Sequence, residues 1–209
     1  MSAASLAENF ARHFQEAIDA AKLPDGFYDS FRYTSTGTNL CHPITLSMIG
    51  NAVGKLDGVS HVGIDVRLNL RKGVKFQPDV VGFRRELSGH VIYVDFESPN
   101  SSDARIDRKD ICRYLDWSAC HEAAPYIVIT SLPDKSVDGW ELRWKSKGRT
   151  NEKHQGKLSE IAENPLRYWL KVWSRDSAVR DLSRVTFLNI DGKAVRRLEI
   201  PQRGPEMAR

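Results

Sequence analysis

The sequence predicts an α/β domain, on three observations. Apolar positions between residues 43 and 132 follow the order helix, three strands, helix, strand. Residues 126–132 (YIVITSL) form a continuous apolar run, the pattern of a strand buried on both faces. Of the 209 residues, 41% are hydrophobic and 28% charged, a balance that supports a packed core and argues against global disorder.

Taken in order, residues 5–22 read as a helix, with Leu6, Phe10, Phe14, Ala17, Ile18 and Ala21 at helical spacing. Pro24, Asp25 and Gly26 end it, and residues 27–41 read as extended or looped. A second helix is expected over residues 43–56, with Pro43 in its first turn. Residues 61–70 alternate, which puts Val62, Ile64, Val66, Leu68 and Leu70 on one face of a strand. Residues 78–84 and 90–97 read as the next two strands, joined by a polar turn, and residues 103–121 as a helix. After the apolar strand 126–132, residues 157–174 read as a helix in which Pro165 is a candidate break. Residues 184–200 read as a hairpin around Asp191-Gly192. No internal repeat or low-complexity tract interrupts the pattern, so the whole chain, 1–209, is read as one domain.

The formal charge of +4 permits a polyanionic partner without demanding one. Cys41, Cys112 and Cys120 are odd in number and irregular in spacing, which argues against a disulfide framework and against structural zinc. No apolar run approaches the ~20 residues that span a bilayer. The expectation is a reduced, cytoplasmic chain with no membrane partner.

The candidate chemistry lies in three acids. Asp79 opens one predicted strand, and Asp95 and Glu97 end the next. Adjacent strands lie ~4.8 Å apart, so paired strands can bring Asp79 near Asp95. Asp95 and Glu97, two residues apart, share a face while Phe96 points to the other layer. Three carboxylates at one strand end repel one another, and a hard divalent cation relieves the conflict, with the Phe96 carbonyl as a further oxygen donor. Taken singly each acid has an ordinary explanation: a turn aspartate, an ion-paired aspartate, a solvated glutamate. What joins them is the apolar strand VIYV running directly into two acids, then the polar stretch SPNSSDARIDRKD crowding the same strand end.

The ordered set GIDVRLNL, QPDVVGF, VIYVDFESPNSS, DRKDICRYLDW and PYIVITSLPD resembles the PD-(D/E)xK, or restriction-endonuclease-like, nuclease superfamily over about residues 43–133. Within it, the pattern is most similar to restriction endonucleases of bacterial genomes. The resemblance implies a mixed central β-sheet flanked by helices on both faces, hydrolysis of DNA phosphodiester bonds, and Mg²⁺ or Mn²⁺ as cofactor. It carries the family's two acids to Asp79 and Asp95. The family's lysine position falls on Glu97, an acid that some type II restriction enzymes also have there. In members where the lysine has moved to the following helix, Lys109 and Arg108 are the counterparts, although Lys109 lies away from a buried face built of Ile111, Tyr114, Leu115 and Ser118. The family acid on the helix before the first strand has no counterpart, because residues 43–56 contain no Asp or Glu. A nuclease-fold protein that had lost turnover, and acts as a binding module or scaffold, would show the same departures. For an active enzyme, cutting both strands of a duplex calls for two sites, which a homodimer would supply.

Two basic surfaces accompany the acids. Arg105, Arg108 and Arg113 lie on the central helix. Arg143, Lys145, Lys147 and Arg149 alternate within the C-terminal extension (residues 139–200), beside Trp140 and Trp144. Such a strip suits phosphates or unpaired bases of duplex or single-stranded DNA, and equally suits a solvated edge strand. Tyr168, Trp169 and Trp173 read as core. Cys41-His42 shows no base partner for the thiol and stands at an expected helix start, so its reading is structural.

Overall fold

The structure, a computed structural model, describes residues 2–28, 35–69, 75–87, 89–97, 111–121, 124–134, 163–177 and 181–200. It is an α/β fold around a mixed six-stranded sheet. The elements are α1 (Ala3–Ala20), α2 (Ser35–Gly54), β1 (His61–Ile64), β2 (Leu68–Asn69), β3 (Lys75–Phe76), β4 (Val80–Phe83), β5 (His90–Glu97), α3 (Cys112–Ser118), β6 (Tyr126–Thr130), α4 (Pro165–Ser177), β7 (Val185–Asp191) and β8 (Ala194–Arg197). The large sheet runs β1-β4-β5-β6-β7-β8, and β2 with β3 forms a separate pair. The pairs β1–β4, β4–β5 and β7–β8 are antiparallel, whereas β5–β6 and β6–β7 are parallel.

Strand alternation divides the interior into two layers. Val80, Ile92, Val94, Phe96, Ile127, Ile129, Leu188 and Ile190 face α1 and α2 in one core. Val81, Tyr93, Tyr126, Val128 and Phe187 face α3 and α4 in the other. A sheet covered on both sides explains why all five residues of β6 are buried and why its sequence lacks polar alternation. Close approach of α2 to β4 depends on Gly82: a Cβ there would lie 3.0 Å from side-chain atoms of Val53, Val59 and Ile92.

Several elements differ from the sequence expectation, each for a local reason. Helix α2 starts at Ser35 rather than Pro43, so Pro43 is internal and residues 35–41 are helical rather than looped. An internal proline removes one backbone hydrogen bond, and here burial outweighs it. The buried stripe runs unbroken across Pro43, from Cys41 and Thr45 to Ile49, Ala52 and Val53. The expected single strand 61–70 breaks at Asp65, which takes a left-handed φ of 53°. Aspartate tolerates that region better than most side chains. Val62 and Ile64 therefore lie near Gly50 and Gly54 of α2, and Val66 and Leu68 pack on the opposite core, not on one shared face.

At α3 the buried positions are Ile111, just before the helix, and Tyr114 and Trp117 within it, whereas Leu115 and Ser118 are only partly covered. Helix α4 begins at Pro165 after the non-helical Asn164, which agrees with a break at this point, and residues 157–162 of the expected helix lie outside the described residues; the Asn164 side chain accepts from the Arg167 amide at 3.1 Å and caps α4. Tyr168, Trp169 and Trp173 are core residues. The C-terminal hairpin turns on Gly192, with φ 62°, and Lys193, and joins the main sheet through β6.

Candidate active site

The β4–β5 ladder ends at the pair Val80–Val94. One residue further on, the strands part at Asp79 and Asp95, and the two carboxylates replace the missing ladder bonds. The Asp79 amide donates to Asp95 Oδ1 at 2.6 Å, and the Phe96 amide donates to Asp79 Oδ2 at 2.8 Å. Each acid thus satisfies a backbone donor of the opposite strand, an arrangement that fixes both side chains at one sheet end. The Asp79 carbonyl accepts from the Asp65 amide at 2.7 Å, which ties the kink after β1 to the same place.

The environments of the two acids differ. Asp95 is only 4% exposed. Its second oxygen, Oδ2, accepts from the Tyr126 hydroxyl at the start of β6. The Asp79 side chain is 25% exposed and meets His42 of α2, whose Nε2 lies 3.5 Å from Asp79 Oδ2. The His42 ring packs beside Phe96, with centroids 5.9 Å apart. Hydrogen bonding to Asp79 raises the His42 pKa above its ordinary value; burial opposes the rise, while the charges of Asp79 and Glu97 and the Phe96 backbone reinforce it.

Of the sequence-predicted site, Asp79 and Asp95 come together. Phe96 contributes its amide to Asp79, and its ring points into the first core. Glu97 ends β5, close enough for its charge to act on His42. It does not complete a cage with the other acids: among the described residues, no three His, Cys, Asp or Glu side chains are grouped to hold a metal. Lys109, Arg105, Arg108, Arg143, Lys145, Lys147 and Arg149 lie outside the described residues.

Two neighbours of the acids, His42 and Tyr126, were not assigned to the site from the sequence, His42 having been read as structural. His42 was hidden by the expected helix start at Pro43; its signal was its place on the helix before the first strand, where the family resemblance leads one to look for an acid. Tyr126 was hidden inside an apolar run, where its hydroxyl is the first polar group.

The donor set can be tested against a divalent ion on chemistry. Asp79 and Asp95 offer hard oxygens, and the Asp79 side chain is the more open of the two. Mg²⁺ commonly binds through one or two carboxylates and completes its shell with water and substrate phosphate. The pair fits such a minimal site and does not fit a closed protein cage. No family model, curated protein or solved structure matches this chain.

Proposed function

We propose that this chain is a metal-dependent endodeoxyribonuclease with a restriction-endonuclease-like core, in which Asp79 and Asp95 hold Mg²⁺ or Mn²⁺. The observation that carries the reading is the acid pair at the parting ends of neighbouring strands, Asp95 accepting from the Asp79 amide and Asp79 from the Phe96 amide. The antiparallel run β1-β4-β5, followed by parallel β6, supports it as the kind of mixed core the family resemblance implies.

When bound, the ion supplies charge to the scissile phosphate and acidifies an attached water. The protein's part is positional. Asp79 and Asp95 present oxygens from a rigid strand end. His42 meets Asp79, and the Glu97 charge acts on His42, so these two would help orient the attacking water. Lys109 is the candidate for the displaced family lysine, Arg105, Arg108, Arg143, Lys145, Lys147 and Arg149 are the candidates to neutralise DNA phosphates, and a homodimer would bring two sites to a duplex.

The test is cleavage of supercoiled plasmid and of single-stranded DNA by the purified chain with Mg²⁺ or Mn²⁺. Asp79→Ala is expected to lower the rate by at least about 100-fold, as loss of a principal charge-stabilising group does. Equal cleavage by the variant would discard the site. A second reading, a nuclease-fold protein without turnover that binds nucleic acid or acts as a scaffold, is favoured by one observation: both oxygens of Asp95 already accept internal hydrogen bonds. Calorimetry separates the two readings, since absence of Mn²⁺ binding at millimolar metal supports the second.

A further inference from the structure

Among the described residues four large apolar side chains are exposed, and three of them belong to β1 and α2, which pack together. Val62 and Ile64 of β1 are 37% and 54% exposed, and Ile44 of α2 is 37% exposed. Val62 and Ile64 lie under two glycines of α2. A Cβ at Gly50 would stand 3.7 Å from Ile64 and 3.8 Å from Val62, and one at Gly54 would stand 3.6 Å from Val62. Helical spacing continues this stripe along α2 through Asn51, Ser47 and Ile44, all exposed.

Two further features single out this face. Among the described residues β1 pairs with β4 alone, so it ends the large sheet. Edge strands are commonly guarded by charge against pairing with another chain. The kink at Asp65 keeps β1 short, but its four residues, His61–Ile64, include no Lys, Arg, Asp or Glu. Helix α2 has none in its 20 residues, in a chain that is 28% charged. Exposed apolar side chains in charge-depleted surroundings mark the centre of a protein interface.

We propose that β1 and the exposed stripe of α2 form a two-fold interface with a second copy of this chain, β1 pairing antiparallel with its counterpart and the two α2 helices lying side by side over the joined sheet. Charge selects this occupant. A charged partner surface would lose its water here without gaining a counter-ion, whereas an uncharged face suits an uncharged face. The ends of the patch carry both signs: Lys55 and Asp57 follow α2, and Asp65 and Arg67 follow β1, all exposed. Their partners within the chain, Glu16 for Lys55 and Gln77 for Asp65 and Arg67, are exposed too. Antiparallel pairing turns the first end toward the copy's second end, so acids meet bases on both sides. A two-fold contact also uses the same patch twice, which a self-complementary surface requires. The small residues Ser47, Gly50 and Gly54 let the two helices approach closely. The interface gives a surface to the homodimer named above but does not depend on the nuclease reading, and neither metal nor DNA enters its test.

The experiment is sedimentation equilibrium of the full chain in metal-free buffer, from about 1 µM to about 500 µM. The wild-type chain is expected to dimerise reversibly. Ile64→Lys places like charges in the contact and is expected to raise the dissociation constant at least about 10-fold. Far-UV circular dichroism and thermal unfolding establish that the variant is folded. Should it fail to fold, Asn51→Arg puts a charge on the exposed face of α2 instead, with the same expectation. A wild-type chain that stays monomeric throughout overturns the second copy as occupant. A dimer that folded Ile64→Lys or Asn51→Arg leaves intact overturns this face as the interface.

Discussion

His42 and His90 are pulled in opposite directions by their surroundings. The Asp79 carboxylate raises His42 above its ordinary value near 6.5, with Glu97 adding in the same sense. Burial lowers His90, which lies among Phe83, Tyr93 and Trp117, and the nearby His121 charge adds to the effect. The consequences for stability have opposite signs. The His42 contribution is fully present below the ordinary value and fades as pH rises through the higher folded value. The His90 contribution is present above the ordinary value and is lost as pH falls toward the lower folded one. Because the His42 side chain is 35% exposed, solvent screening holds its share to ~0.5–1 kcal/mol. Urea midpoints between about pH 5 and about pH 9 should show His42→Gln costing stability at the acidic end and converging on wild type at the alkaline end; His90→Gln should do the reverse. A pH-independent offset for either variant would contradict the assignment. The same residues show what was legible in the sequence. Asp79 and Asp95 were readable because adjacent strands constrain where acids at their ends can go. His42 depended on how far α2 extends before Pro43, which packing decides and local preference does not.

Helix α3 is short, and its attachment rests on named contacts. The Trp117 indole N–H donates to the Tyr93 hydroxyl at 2.8 Å, and that hydroxyl pairs with His90 Nδ1 at 2.9 Å. The indole can only donate, so the Tyr93 oxygen is its acceptor. Burial pushes the Tyr93 pKa up to about 12, so the group stays a neutral phenol in ordinary buffers. Tyr93→Phe leaves the buried indole N–H unpaired and should cost ~1–3 kcal/mol, read as a lower urea midpoint together with altered Trp fluorescence. A variant as stable as wild type would show that the helix is held by apolar contact alone. At this scale the sequence showed β5 and β6 well, because apolar runs of strand length have few alternatives. It showed the break at Asp65 poorly. That conformation is supported by a bond from the Asp65 amide to the Asp79 carbonyl, a long-range partner that no window around residue 65 contains.

The two cores meet across the central strands, and β6, buried at every position, lies between two parallel neighbours. Its amides should exchange with solvent only through global unfolding, whereas those of the edge strand β1 should exchange through smaller openings. Hydrogen exchange by NMR at neutral pH would show this as slowest exchange at residues 127–129; rates there matching those of residues 61–64 would refute it. The contribution of the chain's last third to this sheet was the least legible part at this scale, because parallel pairing of β7 with β6 leaves no local signature in either strand.

Helix α1 contacts β8, although nearly the whole chain separates them. The Gln15 side chain donates to the Lys193 carbonyl at 3.0 Å and accepts from the Val195 amide at 2.7 Å. Lys193 also reaches Asp25 at 2.7 Å. On the ribosome, α1 emerges long before the hairpin that completes its seat. Until that hairpin arrives, the stripe Leu6, Phe10, Phe14 and Ile18 lacks part of its cover, a greasy ridge suited to a holdase chaperone during synthesis.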